Sequence, residues 1–186
     1  ILAETWHTDG SCQARPPAGT CLYGITIPPI GGDTLFSNQH LALDAMPAEL
    51  RARIEGLTAI HSAQKAYAPE GFYGAGDKGR SMDIRPSETA RATQRHPFIR
   101  HHPETGREGL FGCLGYVIGF EGMADEEALP LLVELYRWQG QERFQYRHRW
   151  QPNMLVMWDN RSVLHAATGG YQGHARLLHR TTIAAA

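Results

Sequence analysis

The chain has 186 residues, of which 42% are hydrophobic and 20% are charged, and its formal net charge is −1. This composition excludes a disordered or fibrous protein, and the interspersed charges predict no nucleic-acid partner and no attraction to an anionic membrane. The sequence contains no run of about 18 apolar residues, so it predicts no membrane-spanning helix. The length fits a single domain over residues 1–186.

Six segments rich in β-branched and aromatic residues are predicted to be strands. Turns rich in Gly and Pro separate several of them, and the strongest turn signal lies at residues 28–33. The predicted strands are residues 20–27, 34–37, 58–63, 144–150, 154–158 and 175–183.

Two helices are predicted between these strands. Residues 47–57 place apolar side chains at helical spacing, with Pro47 suited to the first turn and Gly56 to the end. The second helix is predicted from Asp125, which opens an acidic first turn, to about Gln139. Its predicted buried face consists of Leu129, Leu132, Val133 and Tyr136.

Residues 69–95 are polar and rich in Gly, with few apolar anchors. A long loop of this kind inside a domain is typical of a functional lid or of a poorly ordered segment. The many short strands, the two helices and the Gly- and Pro-rich turns together predict a mainly β fold with helical insertions, either barrel-like or a jelly roll.

Three cysteines, an odd number, are spaced widely along the chain at Cys12, Cys21 and Cys113. They form no Cys-x-x-Cys pair, which argues against a disulfide scaffold and against a zinc site built on thiolates. Reduced thiols are typical of the cytoplasm, so the sequence predicts a cytoplasmic location.

His7 and Asp9 are separated by one residue near the start of the sequence. If this segment is extended, the two side chains project from the same face, because side chains alternate with a period of two. One imidazole and one carboxylate are two thirds of the facial triad that holds Fe(II) in non-haem oxygenases. The pattern therefore predicts a metal site that needs a second histidine from elsewhere in the chain.

Five motifs extend this pattern over nearly the whole sequence. They are Trp-His-Thr-Asp at residues 6–9, Pro-Pro-Ala-Gly at 16–19, Gly-Gly-Asp-Thr at 31–34, Trp-Asp-Asn-Arg at 158–161 followed by His165, and Arg-Leu-Leu-His-Arg-Thr-Thr-Ile at 176–183. In this order and at this spacing they resemble the taurine dioxygenase family. Its members are Fe(II)- and 2-oxoglutarate-dependent oxygenases, and they include alkylsulfatases and aryloxyalkanoate dioxygenases.

The resemblance implies a double-stranded β-helix core, of the jelly-roll or cupin-like kind, with iron between two sheets. It implies that His7, Asp9 and His165 are the catalytic iron ligands. It also implies that Arg176 binds the side-chain carboxylate of the co-substrate 2-oxoglutarate, assisted by the hydroxyl of Thr34. The implied cofactors are Fe(II), 2-oxoglutarate and O2.

For the substrate, the resemblance implies that Arg180 receives an anionic group and that Tyr67 and Tyr116 line the pocket. On a strand, Arg176 and Arg180 would lie on one face about 13 Å apart. Two arginines on one wall suit two anionic small molecules, because the planar guanidinium can bind a carboxylate or a sulfonate with two hydrogen bonds. A sulfonate, a sulfate ester and a carboxylate all remain open as substrates.

Several alternatives remain open from the sequence. His61, His174 and His179 compete with His165 for the ligand position, although His179 would alternate to the opposite face from Arg180. A metal-dependent hydrolase with the same ligands, or a binding protein without catalysis, would also fit a fold of this kind. A homo-oligomer is equally open.

The first residue is Ile1 rather than Met, and His7 follows six residues later. We therefore expect that an N-terminal portion of a family-sized protein is absent from this sequence. Such a portion would contribute to the substrate side of the pocket.

Overall fold

The computed structural model describes residues 2–74 and 84–186. Within this part of the chain, eleven strands and four α-helices follow one another. The strands are β1 Gly19–Thr26, β2 Thr34–Asn38, β3 Thr58–Ser62, β4 Thr93–Pro97, β5 Ile99–His101, β6 Glu108–Leu110, β7 Val117–Phe120, β8 Gln145–His148, β9 Leu155–Asp159, β10 Val163–Ala167 and β11 Leu177–Ile183. The helices are α1 Gln39–Asp44, α2 Ala48–Ile54, α3 Gln64–Tyr67 and α4 Asp125–Gln139, with short 3-10 helices at Leu2–Glu4, Glu88–Arg91 and Glu142–Phe144.

The strands form antiparallel sheets of two or three strands. The first sheet has the order β11-β1-β9, the second β10-β2-β8, the third β4-β3-β7, and β5 pairs with β6. All six predicted strands are present, and their ends differ from the predicted ones by one or two residues. The segment predicted at residues 144–150 is shortened at both ends, at its start by the 3-10 helix Glu142–Phe144 and at its end to His148. The prediction of a mainly β protein with helical insertions is confirmed.

Helices α1 and α3 and strands β4, β5, β6, β7 and β10 were not predicted from the sequence. Asn38 begins α1, because its side-chain Oδ1 accepts hydrogen bonds from the backbone N–H groups of His40 and Leu41, both at 3.0 Å. An asparagine in this position is a common signal for the start of a helix. Strand β10 contains only five residues and forms through pairing with β2, so its extended conformation depends on a partner distant in sequence.

Helix α4 has the predicted ends, but its buried face is shifted from the predicted one and shares only Leu132 with it. The buried side chains are Ala128, Leu131, Leu132, Leu135 and Gln139, whereas Leu129 is 57% exposed. Both sets of residues repeat at helical spacing and differ by a rotation of about 100°, the angle per residue of an α-helix. Packing against the rest of the domain selects one of the two faces, and the sequence periodicity alone does not.

The main hydrophobic core lies between the helices and the sheet β4-β3-β7. Leu43 of α1, Ile54 of α2, Leu135 of α4 and Phe120 of β7 are all at most 1% exposed and belong to one cluster of buried side chains. Phe98 packs edge-on against Phe120, with ring centroids 5.4 Å apart. This core holds the helices on one side of the domain.

The predicted loop at residues 69–95 is only partly irregular. The 3-10 helix Glu88–Arg91 and the first residues of β4 lie within it, and residues 75–83 are outside the described part of the chain. A function of this segment as a lid stays a prediction. In the described residues, no helix combines the length and the apolar character needed to cross a bilayer.

His61 in β3 is fully buried, and neither ring nitrogen has a hydrogen-bond partner among the described residues. Its ring centroid lies 5.1 Å from that of His96 and 5.6 Å from that of Phe111. Burial, and the nearby His96 and Arg100, lower the pKa of His61 to about 3. The folded protein therefore keeps this imidazole neutral.

This burial predicts a pH dependence of stability. In the unfolded chain His61 takes up a proton near its ordinary pKa of 6.5, whereas the folded chain resists protonation down to pH of about 3. The unfolding free energy should therefore fall as the pH drops below 6.5, and the loss assigned to His61 should be about 2 kcal/mol at pH 5. Urea unfolding of the wild type and of His61→Leu at pH 7.5 and pH 5 would measure this. The wild type should lose more stability over this range, and equal losses would contradict the prediction.

Candidate active site

His7 and His165 face each other across an isolated antiparallel bridge. The backbone N–H of His7 donates to the carbonyl of His165 at 3.0 Å, and the N–H of His165 donates to the carbonyl of His7 at 2.8 Å. Residues paired in this way place their side chains on the same face. The two imidazole centroids are accordingly 4.2 Å apart. The second histidine of the predicted site thus comes from a strand 158 residues later in the chain, as 165 − 7 gives.

Asp9 completes a group of three potential ligands. One ligand atom from each of His7, Asp9 and His165 lies within 4.8 Å of the other two, and no other group of three or more such residues occurs in the described ranges 2–74 and 84–186. The Asp9 side chain is only 11% exposed. The ligand atoms of two imidazoles and one carboxylate thus converge on one point. This set of ligands matches the facial triad of non-haem iron centres.

The orientation of the two imidazoles suits metal binding. His7 Nδ1 lies 2.8 Å from the carbonyl oxygen of Thr5, so Nδ1 carries the proton and donates it, and Nε2 keeps its lone pair. His165 directs Nε2 toward Asp9, with 3.8 Å between Nε2 and Oδ1. Burial lowers the pKa of both histidines, and for His165 the neighbouring His7 adds to this effect. Both rings are therefore neutral near pH 7, which is the form that binds a metal ion.

Asp9 has a separate partner for each carboxylate oxygen. The hydroxyl of Thr20 donates to Oδ2 at 2.7 Å, and Arg180 Nη1 lies 3.4 Å from Oδ1. Thr20 is fully buried, whereas the Arg180 side chain is 59% exposed. Arg180, predicted as a substrate residue, therefore stands at the open side of the cluster and within reach of its carboxylate.

Thr34 lies on the same face of the second sheet as His165. In the pairing of β2 with β10, Phe36 is opposite His165 and Thr34 is opposite Ala167. Thr34 is thus displaced by two residues, or roughly 7 Å, along the strand from the ligand position. Its hydroxyl is 4% exposed and accepts a hydrogen bond from Trp150 Nε1 at 3.0 Å. A buried hydroxyl proton is left to donate at this point.

Arg176 lies directly before β11 and is fixed against the turn that precedes Thr34. Its Nη2 donates to the carbonyl oxygen of Gly32 at 3.0 Å. A Cβ atom at residue 32 would lie 2.9 Å from Arg176 Nε, and Gly32 also has a φ of +70°, so the close approach of this arginine requires glycine. Arg176 Nε is buried and donates to no described residue. Because a buried guanidinium nitrogen needs an acceptor, this unpaired donor beside Thr34 fits a ligand carboxylate.

The spacing predicted that Arg176 and Arg180 lie on one strand, but only Arg180 does. Arg180 lies in β11, but the strand begins at Leu177, so Arg176 is outside it. The reason is the pairing with β1, whose register shifts between Gly24 and Thr26 and ends at Leu177. The arginines consequently reach two places: Arg176 contacts the turn at Gly32, and Arg180 contacts the carboxylate of the ligand cluster.

A cavity of about 700 Å³ opens beside the cluster and is lined by Asp9, Arg180, Tyr67 and Tyr116, among others. Tyr116 is buried, with 7% of the residue exposed. Burial raises the pKa of the Tyr116 hydroxyl well above its ordinary value, and the contact with Tyr67 adds to this. Tyr116 is thus a neutral hydrogen-bonding group at the edge of the cavity. Both predicted tyrosines thus lie in the wall of the cavity that Asp9 also lines.

The competing histidines lie elsewhere. His179 pairs with Tyr23 in the first sheet and is exposed, on the alternate position to Arg180. His174 is exposed in the turn before β11, and His61 is buried in the third sheet. None of the three belongs to the group of potential ligands in the described residues.

Four further residues at the site were not predicted from the sequence. Cys12 and Arg15 line the cavity, and Thr20 and Asn160 form hydrogen bonds that lead to Asp9. Asn160 belongs to the Trp-Asp-Asn-Arg motif at residues 158–161, which indicated the family but not a hydrogen-bonded link to Asp9. Thr20 carried no signal beyond its place at the start of a predicted strand.

These features define a mainly β protein with a candidate non-haem metal centre of the two-histidine, one-carboxylate class. The sequence model of the family described as "Taurine catabolism dioxygenase TauD, TfdA family" matches residues 2–182. The chain belongs to this family.

Two curated relatives illustrate the similarity. The chain is 38% identical over 162 residues to the alpha-ketoglutarate-dependent 2,4-dichlorophenoxyacetate dioxygenase of Cupriavidus pinatubonensis. This alignment covers 87% of this chain and 53% of that protein. It is 30% identical over 196 aligned positions to the alkylsulfatase of Acinetobacter baylyi. That alignment covers 98% of this chain and 57% of the alkylsulfatase.

Solved structures are similar over nearly all of this chain. A taurine dioxygenase from Burkholderia xenovorans superposes with a TM-score of 0.80 at 30% identity, covering 99% of this chain and 58% of that one. The enzyme AAD-2, in complex with Mn(II) and N-oxalylglycine, gives a TM-score of 0.81 at 28% identity, covering 98% of this chain and 69% of that one. The chain spans between half and 60% of the length of the two curated relatives above.

Proposed function

We propose that this chain carries the centre of an Fe(II)- and 2-oxoglutarate-dependent dioxygenase that hydroxylates a small anionic organic substrate. The observation that carries the proposal is the convergence of His7, Asp9 and His165, whose ligand atoms all lie within 4.8 Å of one another. Neutral imidazoles and a buried carboxylate suit a divalent ion, and a triad on one face leaves coordination positions open. When bound, iron and 2-oxoglutarate supply, with O2, the chemistry that yields succinate, CO2 and the hydroxylated product.

In this proposal Arg176 and Thr34 bind the far carboxylate of 2-oxoglutarate. The buried, unpaired Nε of Arg176 and the hydroxyl proton of Thr34 are the donors that this carboxylate would satisfy. The displacement of Thr34 by two residues from the position opposite His165 suits a short dicarboxylate that is held by the metal at one end. A hydrolase with the same three ligands would have no use for these two donors, so they favour the oxygenase.

The substrate is proposed to occupy the cavity beside Asp9, with its anionic group on Arg180. Tyr67 and Tyr116 form part of the wall and supply aromatic surface and hydroxyl groups. The named relatives act on an aryloxyacetate and on alkyl sulfates, and both kinds of substrate are anionic. A sulfonate, a sulfate ester or a carboxylate is therefore the proposed class.

Several broader features belong to the same proposal. The antiparallel sheets β11-β1-β9 and β10-β2-β8 support a double-stranded β-helix core, in which the metal would lie between the two sheets. One domain over residues 1–186, a lid within residues 69–95 and a cytoplasmic location complete the proposal. The three free cysteines support a reducing compartment.

Succinate formation tests the function directly. The protein would be incubated with Fe(II), 2-oxoglutarate and O2, and succinate release would be measured across a panel of sulfonates, sulfate esters and aryloxy acids. We expect at least one anionic compound to raise succinate release well above the rate without substrate. A panel without effect, together with no binding of 2-oxoglutarate, would contradict the oxygenase and favour a hydrolase or a binding protein.

Arg180→Ala is expected to raise the KM for the best anionic substrate by roughly tenfold to a hundredfold, because hydrogen bonds to charged groups contribute about 1.5–3 kcal/mol. The KM for 2-oxoglutarate should change much less, since Arg176 lies elsewhere. Arg95→Ala is the matched control, because Arg95 is an exposed arginine in an ion pair with Glu121. Both KM values would be measured at saturating iron. An unchanged substrate KM in Arg180→Ala would remove Arg180 from the substrate site.

A further inference from the structure

A chain of three buried hydrogen bonds ends on the metal-facing carboxylate. Trp158 Nε1 donates to Asn160 Oδ1 at 2.9 Å, Asn160 Nδ2 donates to Thr20 Oγ1 at 2.9 Å, and Thr20 Oγ1 donates to Asp9 Oδ2 at 2.7 Å. Trp158, Asn160 and Thr20 are at most 7% exposed. Solvent therefore competes little with any of the three bonds.

The direction of these bonds is fixed by chemistry at both ends. The indole N–H of Trp158 can only donate, so the side-chain oxygen of Asn160 must face it and the amide nitrogen must face Thr20. The Thr20 oxygen accepts from Asn160, and its single proton is left for Asp9. An ionised carboxylate can only accept. The chain has one polarity, and Thr20 always presents a proton to Asp9 Oδ2.

Asn160 is itself held firmly in the short turn between β9 and β10. Its backbone N–H donates to the carbonyl of Ala18 at 2.9 Å, and its carbonyl accepts from the Thr8 hydroxyl at 2.8 Å. Asn160 therefore joins the segment with Asp9 to the turn that leads to His165. The ring of Trp158 also packs against His165, with centroids 4.7 Å apart.

Asp159, which lies between Trp158 and Asn160 in the sequence, has a different role. Burial would raise its pKa, but hydrogen bonds from Arg161 and His102 outweigh this and lower the pKa of Asp159 to about 2. Its carboxylate is thus occupied in fixing the same turn from the other side, with Arg161 Nη2 at 2.7 Å and His102 Nε2 at 2.9 Å.

We propose that Thr20 and Asn160 are positioning residues for the metal ligand Asp9. By holding Oδ2, they leave Oδ1 as the oxygen that faces His165 Nε2, 3.8 Å away, and so select binding of the metal through one carboxylate oxygen. Without the Thr20 proton the carboxylate keeps only the longer contact of Oδ1 with the exposed Arg180, at 3.4 Å, and must be ordered further when the metal binds. This inference rests on the proposed function, because it assumes that Asp9 is a metal ligand.

Metal affinity is the readout that tests it. Mn(II) binding to the whole chain would be measured from the electron paramagnetic resonance signal of the free ion, which needs no turnover. Thr20→Val keeps the shape of the side chain and removes the hydroxyl, and we expect it to weaken Mn(II) binding by about tenfold to a hundredfold, as hydrogen-bonded partners of ligands typically do. Thr20→Ser restores the hydroxyl and should restore most of the affinity.

Two further variants separate positioning from stability. Ser62→Ala removes an equally buried hydroxyl, which donates to the backbone carbonyl of Ala90 at 3.1 Å from strand β3, so it should lower stability without weakening Mn(II) binding. Asn160→Asp keeps the shape and reverses the polarity, because a carboxylate at residue 160 would accept the Thr20 proton in place of Asp9. We expect it to weaken Mn(II) binding to a similar extent as Thr20→Val, and its folding would be checked by circular dichroism.

The outcomes are distinct for the two proposals. If the wild type binds Mn(II) but Thr20→Val and Asn160→Asp bind it equally well, the positioning role is wrong and the proposed function stands. Equal weakening in Thr20→Val and Ser62→Ala would also contradict positioning, because it would indicate a general loss of structure. If the wild type itself fails to bind Mn(II), the proposed function is wrong and the positioning role fails with it.

Discussion

Asp9→Ala is expected to abolish iron-dependent succinate formation and to weaken metal binding by more than about a hundredfold. Asp9 is the only anionic member of the group formed with His7 and His165, and the two imidazoles are neutral. Its removal leaves a divalent ion with two neutral protein ligands and no compensating charge. Loss of a partner behind a ligand already costs tenfold to a hundredfold in affinity, so loss of the ligand itself should cost more. Mn(II) binding and succinate release would be measured side by side.

Asp44→Ala is the matched control for this variant. Asp44 is also a carboxylate paired with an arginine, Arg107, but its side chain is 55% exposed and lies at the end of α1. We expect no change in metal affinity or succinate release in the control. Since Asp9→Ala also leaves the buried Thr20 hydroxyl without its acceptor, folding of both variants would be checked first. Wild-type succinate formation by folded Asp9→Ala would refute the proposed metal centre.

Arg176→Lys is expected to raise the KM for 2-oxoglutarate by roughly tenfold to a hundredfold. Lysine keeps the positive charge but loses the planar fork that can bind a carboxylate with two hydrogen bonds. It also lacks an equivalent of the buried Nε beside Gly32, which is the unpaired donor in the structure. Hydrogen bonds to charged groups contribute about 1.5–3 kcal/mol, which corresponds to this range of KM. Initial rates of succinate formation over a range of 2-oxoglutarate concentrations would measure the effect.

Arg53→Lys serves as the control for this change. Arg53 forms an ion pair with Glu134 on the helical side of the domain, and half of its side chain is exposed. An exposed ion pair contributes little to stability, so this variant should have the wild-type KM. If Arg176→Lys matched the control, Arg176 would not be the co-substrate residue, and the case for an oxygenase over a hydrolase would lose its main support.

A comparison of α4 with the metal site explains which predictions are reliable from sequence. Alternation of side chains predicted that His7 and Asp9 share one face, a relation that depends only on three consecutive residues, and their ligand atoms do lie within 4.8 Å of each other. The ends of α4 were predicted for the same reason, since acidic residues and Gly140 act within one turn. The buried face of α4 was predicted correctly at Leu132 and wrongly at Leu129, because Leu129 and Ala128 both lie on apolar stripes and only packing against the rest of the domain selects between them.

The sequence by itself determined the mainly β character, the local pairing of His7 with Asp9 and the motifs shared with a family. Each of these depends on residues that are close in the chain or on a fixed order of motifs. Only the tertiary structure brought His165 opposite His7, since this requires a backbone bridge between segments 158 residues apart. It also brought Thr20 and Asn160 to Asp9 and Arg176 to the turn at Gly32. These relations depend on strand register, which is set by packing between distant segments.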